Sequence, residues 1–256
     1  MKWRDKITGL PEWITVAALM VFALAVRLAY MHLHPLESRD GIGYILLIQQ
    51  WHDLDGGALP SFGGMQPPLF CYLARAMMYA GIAAEDAALA VNLLAGTLLL
   101  IPVYISARTL WKERSAAVWL GILAAVMPVL VKYSCLRLRE GMYLLLAFST
   151  VCAWMLAIRK HHPLRSAAVC GFLAVINLLC RYEALELLAV CGVTLPAAAL
   201  IPKRRWKDAF KTLAAYIGGG TLGALTIMLL PGMPNILFIY INRIWMHCLG
   251  TFINPL

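Results

Sequence analysis

The sequence predicts an all-α, polytopic membrane helical bundle, and two observations carry this prediction. Of the 256 residues, 62% are hydrophobic and only 14% are charged, whereas soluble domains are roughly half apolar and a quarter charged. Long apolar runs also recur along the whole chain. A spanning helix needs about 20 such residues, because hydrocarbon offers the backbone no hydrogen bonds. We therefore expect an integral membrane protein.

The apolar runs predict about seven transmembrane helices. They are expected near residues 13–33, 87–108, 115–133, 141–158, 166–180, 184–201 and 212–230. The first run is longer than the core of a signal peptide, and no small-residue cleavage site follows it, so we expect it to remain as an anchor. The predicted organisation is a membrane core module over residues 1–230 and an outer tail over 231–256.

The basic residues indicate a membrane topology rather than a nucleic-acid partner, although the formal net charge is +9. Most of them lie at the N-terminus and in alternate short loops: Lys2, Arg4, Lys6, Arg108, Lys112, Arg114, Arg159, Lys160, Arg165, Lys203, Arg204, Arg205, Lys207 and Lys211. Because positively charged loops stay in the cytoplasm, we expect a cytoplasmic N-terminus in the cell (plasma) membrane. Most acidic residues then fall on or near the outer side.

The first outer segment, residues 34–86, is predicted to contain two interfacial helices. "GIGYILLIQQWHDL" (41–54) mixes apolar and polar residues in a pattern typical of a helix lying in the membrane interface. After a turn-rich stretch, residues 67–83 restart a helix with proline in its first turn. If 67–83 crossed the membrane, the basic loop around Arg108 would fall on the outer face, so we interpret it as interfacial or re-entrant.

Asp40 lies just beyond the first span, at the start of the first interfacial helix. Taken alone, it is interpreted as a helix N-cap, a common position for aspartate, with Gly41 behind it. The alternative is a functional carboxylate at the outer membrane face.

A second group of charges lies in "PVLVKYSCLRLREGMYLLL" (128–146), a short outer hairpin between two predicted spans. It contains Lys132, Arg137, Arg139 and Glu140. Basic residues on this side oppose the positive-inside tendency. Snorkelling explains a single lysine, but it explains three cations beside a carboxylate poorly.

A third group lies in "LLCRYEALELL" (178–188), where Arg181, Glu183 and Glu186 either pair with one another or bind a ligand. Arg27, inside the first span, is expected to snorkel outward or to meet a carboxylate of another helix. Such an outer face suits a substrate with an anionic phosphate and an acceptor that must lose a proton.

The sequence predicts no cofactor. The seven cysteines have no CxxC or CxxH spacing, and most lie within apolar spans, so packing is favoured over a disulfide or a metal site. His32, His34 and His52 share the outer region without the spacing of metal ligands. They leave a divalent cation open without supporting one.

The order of these features along the chain resembles a known family. Arg27 lies in the first span, Asp40 precedes Tyr44, and four stretches follow: "QPPLF" (66–70), "NLLAGTLLLIPVYISARTLWKERSAA" (92–117), "MPVLVKYSCLRLREGMYLLL" (127–146) and "CRYEAL" (180–185). This order resembles the polyprenyl-phosphate-dependent membrane glycosyltransferases of the GT-C fold, which include dolichyl-phosphate-mannose-protein mannosyltransferases and bacterial aminoarabinose transferases. The resemblance runs from about residue 13 to 200.

The resemblance implies a role for each matching residue. Asp40 matches the acid proposed to activate the acceptor as a general base, and Glu140 matches a second active-site carboxylate. The implied substrate-binding residues are Arg39, Lys132, Arg137, Arg139, Arg181 and Glu183. The implied activity is inverting transfer of a sugar from a polyprenyl-phosphate carrier to a glycan, lipid or protein acceptor at the outer face. The implied partners are this donor, the acceptor and membrane lipids.

The chain departs from the family in two ways. It has "RDG" where the family often shows "DE" or an Asp followed by Ser or Thr, and it is shorter than most members, as if the C-terminal half were absent. A fragment, a minimal enzyme and an inactive remnant all stay open. The competing hypothesis is a non-catalytic lipid-phosphate-binding protein or a transporter subunit, in which "YIGGGTLGA" (216–224) would loosen the last span.

Overall fold

The computed structural model describes residues 11–34, 38–54, 68–159, 162–200, 206–229 and 242, and within these residues the protein is helical, without strands. The helices are α1 (Glu12–Leu33), α2 (Arg39–Asp53), α3 (Pro68–Met78), α4 (Ala84–Leu98), α5 (Leu100–Trp111), α6 (Arg114–Val126), α7 (Pro128–Cys135), α8 (Glu140–Ile158), α9 (Pro163–Leu178), α10 (Ala184–Leu200) and α11 (Trp206–Met228). The predicted all-α class is confirmed. The predicted tail over 231–256, apart from residue 242, lies outside the described residues.

Helices lie at every position where the sequence predicts a span, but they differ in length. α1, α4 together with α5, and α8 are long and apolar enough to cross a membrane. α6 and α7 would make a fourth span if the bent pair crosses the membrane as one unit. α9 and α10 are apolar too, but they are shorter. By length and composition, the described residues therefore hold three or four spanning helices. The total of seven spans stays a prediction.

α4 and α5 form one almost continuous rod with a slight interruption at Leu99. Pro102 has no N–H, so the carbonyl of Leu98 loses its helical partner, while Leu99 itself keeps a right-handed helical backbone. The rod has 28 residues and is therefore about 42 Å long. A hydrocarbon core is about 30 Å thick, so the rod is long enough to cross it.

The predicted span 115–133 contains a break between α6 and α7. The two helices meet at an angle of 53°. Pro128 is the first residue of α7, and Met127 before it has an extended backbone (φ −61°, ψ 118°). A residue that precedes proline is pushed out of the helical region, so "MPV" ends one helix and starts the next.

Arg27 is fully buried in α1 and ties this helix to the break. Its Nη1 donates to the carbonyl oxygens of Ala23, at 3.0 Å, and of Ala125, at 3.5 Å. Ala125 lies in the last turn of α6, where carbonyls lack helical partners and the helix dipole favours a cation. Neither predicted behaviour of Arg27 is observed: it is 0% exposed rather than snorkelling, and no carboxylate of the described residues bonds to it.

α2 and α3 occupy the first predicted outer segment and pack against each other through aromatic side chains. The rings of Tyr44 and Phe70 lie 5.6 Å apart, and those of Trp51 and Tyr72 lie 6.1 Å apart. The guanidinium carbon of Arg75 lies 4.9 Å from the ring centre of Trp51. Both predicted helices are confirmed as helices, and their interfacial position stays a prediction.

α11 packs closely on α9 through small residues. A Cβ built on Gly219 would lie 1.8 Å from the carbonyl oxygen of Ala168, and one built on Gly171 would lie 2.0 Å from that of Tyr216. Small residues allow such close backbone approach between helices in membranes. The glycines of 216–224 therefore join α11 to α9 rather than loosening it.

The helix directions separate two ends of the bundle. At one end, Arg108 Nη2 lies 2.7 Å from Glu12 Oε1, which joins the end of α5 to the start of α1. α8 runs away from Glu140 towards the basic junction at Arg159, and α9 returns from there towards Arg181. The charged hairpin before α8 and the turn after α9 consequently lie together, at the end opposite the basic junctions.

Candidate active site

Asp40 does not cap α2, so the N-cap interpretation of this residue is wrong. The cap is Ser38, whose Oγ accepts a hydrogen bond from the Gly41 N–H at 3.0 Å. Asp40 is the second residue of the helix and is exposed. It has no hydrogen bond or ion pair to any described residue. A carboxylate in the first turn of a helix interacts favourably with the helix dipole. This interaction leaves the carboxylate oxygens of Asp40 open to a substrate.

The start of α2 lies against the segment 136–139, which joins α7 to α8. Gly41 is buried, and a Cβ built on it would lie 3.3 Å from the carbonyl oxygen of Arg137. This close approach brings Asp40, the preceding residue, to the same end of the bundle as Glu140.

Tyr44, one turn after Asp40, connects the two predicted catalytic carboxylates electrostatically. Burial raises the pKa of its phenol to about 12. The charge of Arg139 opposes this rise in pKa, while the charges of Glu140 and Asp40 add to it. All three charges thus lie within electrostatic range of one hydroxyl. Tyr44 is absent from the predicted site residues, although the family resemblance contains it.

Glu140, Arg181 and Glu183 form the best-defined part of the site. Arg181 Nη1 lies 3.5 Å from Glu140 Oε1. Arg181 also donates from Nε to Glu183 Oε2 at 3.1 Å and from Nη2 to Glu183 Oε1 at 2.5 Å. This two-bonded pairing lowers the pKa of Glu183 and raises that of Arg181. Of the two interpretations of 178–188, pairing is the one observed.

Glu140 is the first residue of α8, and its two carboxylate oxygens differ. Oε1 faces Arg181, whereas Oε2 is buried and receives no hydrogen bond from the described residues. A buried carboxylate oxygen without a donor is costly.

Arg139 lies among the ends of three elements. Its charge opposes the burial-driven rise in the pKa of Tyr44 on α2, of Cys71 on α3 and of Cys180 in the turn after α9. A main-chain hydrogen bond also joins α3 to the turn after α9: the Leu69 N–H donates to the Leu179 carbonyl oxygen at 3.4 Å. The charge of Arg139 therefore acts on groups of all three elements.

The other predicted substrate-binding residues lie differently. Arg137 forms an ion pair with Glu85 at the start of α4. Lys132 and Arg39 are both exposed, and no contact within the described residues joins either of them to Glu140 or Arg181. Their role in substrate binding stays a prediction.

A groove between α8 and α10 begins beside the charged residues, because Glu183 is part of its lining. Its volume is about 380 Å³. It is lined by Tyr143, Ala147, Phe148, Val151, Glu183, Glu186, Leu187 and Val190. The two carboxylates of the lining, Glu183 and Glu186, are close in sequence to Arg181. The guanidinium carbon of Arg181 lies 5.4 Å from the ring centre of Tyr143, which also lines the groove. The remaining lining is mostly apolar, so the groove suits an amphipathic ligand.

Within the described residues, no three His, Cys, Asp or Glu side chains lie close enough together to hold a metal ion. The six described cysteines are free and buried. His34 and His52 pack against the rings of Tyr30, at 4.8 Å, and Tyr79, at 4.9 Å. The expectation that no metal is needed stays a prediction.

These features define an integral membrane protein with a site of paired carboxylates and guanidinium groups at one end of its helical bundle. The sequence model of the dolichyl-phosphate-mannose-protein mannosyltransferase family matches residues 65–247, more than half of the chain. The chain belongs to this family of membrane glycosyltransferases, which confirms the resemblance. The matched region contains Arg139, Glu140, Arg181 and Glu183 and excludes Asp40. A comparison with curated protein sequences gave no match.

Proposed function

We propose that this protein transfers a sugar from a polyprenyl-phosphate carrier to a hydroxyl or amine acceptor at the non-cytoplasmic face of the cell membrane, with inversion. The observation that carries the proposal is the contact of Arg181 with both Glu140 and Glu183, in a chain of this family. Because basic loops stay in the cytoplasm, the opposite end of the bundle, which carries this contact, is the outer end.

The proposed reaction is a direct displacement at the anomeric carbon. The acceptor oxygen or nitrogen attacks that carbon on the face opposite the phosphate, and its proton passes to the carboxylate of Asp40. The bond between the sugar and the phosphate oxygen breaks, and its electron pair leaves with the polyprenyl phosphate. Cations stabilise the charge that develops on the phosphate, and a carboxylate stabilises the positive sugar carbon.

The contacts support different roles for the two arginines. Two carboxylates already contact Arg181, so its main role is to orient Glu140. Arg139 directly precedes Glu140 in the chain, and we propose that its charge helps to hold the phosphate. The apolar part of the groove between α8 and α10 offers a surface on which an isoprenoid chain can lie.

The test is transfer by the purified full-length chain in lipid nanodiscs, with radiolabelled polyprenyl-phosphate sugars and a panel of acceptors. Asp40→Asn is expected to abolish transfer without loss of membrane insertion. The matched control is Asp53→Asn, which alters an exposed aspartate at the other end of α2 and should retain activity. Wild-type turnover in Asp40→Asn would remove Asp40 as the base. Saturable donor binding without any transfer would favour the non-catalytic alternative.

A further inference from the structure

Asn92 on α4 is a fully buried polar side chain directly behind the hairpin that carries Arg139 and Glu140. It is 0% exposed. Its Nδ2 donates to the carbonyl oxygens of Tyr133 and, at 2.7 Å, of Leu136. Tyr133 is in the last turn of α7, and Leu136 follows that helix. These are carbonyls that the end of a helix leaves without partners.

The other side of the same amide lies against the start of α8. A Cβ built on Gly141 would lie 2.3 Å from Asn92 Oδ1 and 2.9 Å from its Cγ. Gly141 directly follows Glu140, so the absence of a side chain there makes room for the amide. Asn92 thus contacts both ends of the short non-helical segment 136–139.

We infer that Asn92 is a positioning residue: it holds segment 136–139 so that Arg139 and Glu140 face the substrate, and this role rests on the proposed function. The segment is not helical, and a primary amide supplies two donors. Asn92 donates to the last turn of α7 and to Leu136, the first residue of the segment, from a helix that carries no charged group of the Glu140–Arg181 contact. Displacing catalytic groups by about 1 Å can cost 100-fold in rate.

The first experiment measures transfer by Asn92→Ala and by a matched control, Thr97→Ala. Thr97 is also a buried polar residue of α4, but its hydroxyl bonds only to Leu93 O of its own helix, at 2.8 Å. Asn92→Ala is expected to lower kcat by about 10- to 100-fold, with the KM for the donor changed by less than about threefold. Thr97→Ala is expected to keep most of its activity. Equal losses of kcat in the two variants would overturn the inference.

A second pair of variants tests the same contact from the opposite side. Gly141→Ala should displace the amide and lower kcat although Asn92 is intact. The double variant Asn92→Ala/Gly141→Ala should lose less than the product of the two single losses, because the shorter side chain removes the contacts at 2.3 and 2.9 Å and leaves only the one at 3.1 Å with the main-chain oxygen of residue 92. Additive losses would contradict the proposed contact. If Asn92→Ala fails to fold, Gly141→Ala decides the question.

A labelling experiment separates this inference from the proposed function. Glu140→Cys is reacted with a membrane-impermeant maleimide in the parent chain and in the Asn92→Ala and Thr97→Ala backgrounds. The six described native cysteines are buried, and the chain without Glu140→Cys measures background labelling. A severalfold change in rate confined to the Asn92→Ala background supports the positioning role even if no transfer is found. Unchanged labelling in that background refutes it, whatever the activity.

Discussion

Replacing Arg181 by methionine tests the centre of the site most directly. The change keeps an unbranched side chain but removes both hydrogen bonds to Glu183 and the contact with Glu140. The side chains of Glu140 and Glu183 are only 21% and 30% exposed. Two partly buried carboxylates would then lie close together without the cation between them, which disfavours the ionised form of both.

The size of the effect follows from the kind of bond that is lost. A hydrogen bond to a charged group contributes about 1.5–3 kcal/mol, and each 1.4 kcal/mol corresponds to about tenfold in a rate or binding constant. Because these groups keep some exposure to solvent, the lower half of that range applies. We therefore expect kcat/KM to fall roughly 10- to 50-fold in Arg181→Met. Arg181→Lys should restore part of this loss, because it keeps the charge but not the two-bonded geometry.

The dependence on pH gives a second measure of the same change. Arg181 lowers the pKa of Glu183 in the folded protein. Such a carboxylate contributes stability above its unfolded pKa, and this stability is lost as the pH falls through the lowered folded value. In Arg181→Met the pKa of Glu183 should rise towards its unfolded value, so the variant should be less stable than wild type at neutral pH, and the difference between their unfolding temperatures should shrink as the pH falls.

For Arg181→Met, the initial transfer rate and the thermal unfolding temperature are each measured as a function of pH. Arg165→Met is the control. Arg165 is an exposed arginine near the start of α9, at the opposite end of that helix from Arg181. Activity within twofold of wild type and an unchanged pH profile in Arg181→Met would refute the assignment of Arg181 to the site.

Two further predictions concern the fold and the metal requirement. Gly219→Ala should lower the thermal unfolding temperature, because the new methyl group would meet the Ala168 carbonyl at 1.8 Å, whereas Gly218→Ala has no atom within 4 Å and should be neutral or slightly stabilising. Equal unfolding temperatures of the two variants would show that α9 and α11 do not pack this way. EDTA should leave the transfer rate unchanged, and restoration of a lost rate by added Mg²⁺ or Mn²⁺ would reveal a metal requirement.

Much of the fold is readable from local sequence, because apolar runs and helix starts are local signals. All the predicted spans coincide with helices, and the two helices of the first outer segment begin within about two residues of their expected starts. The break at Pro128 and the cap at Ser38 were readable as well. Proline ends a preceding helix, and serine caps a helix as well as aspartate does.

The contacts of individual charged residues were not readable in the same way. Nothing local indicates that Arg27 bonds to Ala125, or that Arg137 pairs with Glu85. These partners are 98 and 52 residues apart in the chain, and they meet only because α1, α4 and the broken span pack together. Which cation meets which anion therefore depends on tertiary packing.

The charged side chains of the candidate site lie where helices end. This position explains how a mostly apolar chain accommodates a cluster of charged residues. Asp40 and Glu140 lie in the first turns of α2 and α8, and Glu183 directly precedes α10. Helix N-termini offer free N–H groups and the positive end of the dipole. Negative charge is therefore tolerated at these three points, although the helices that follow are mostly apolar. The guanidinium groups then need to contact only carboxylates that the backbone already supports, so the charged cluster can form without any charged residue in the middle of α8, α9 or α10.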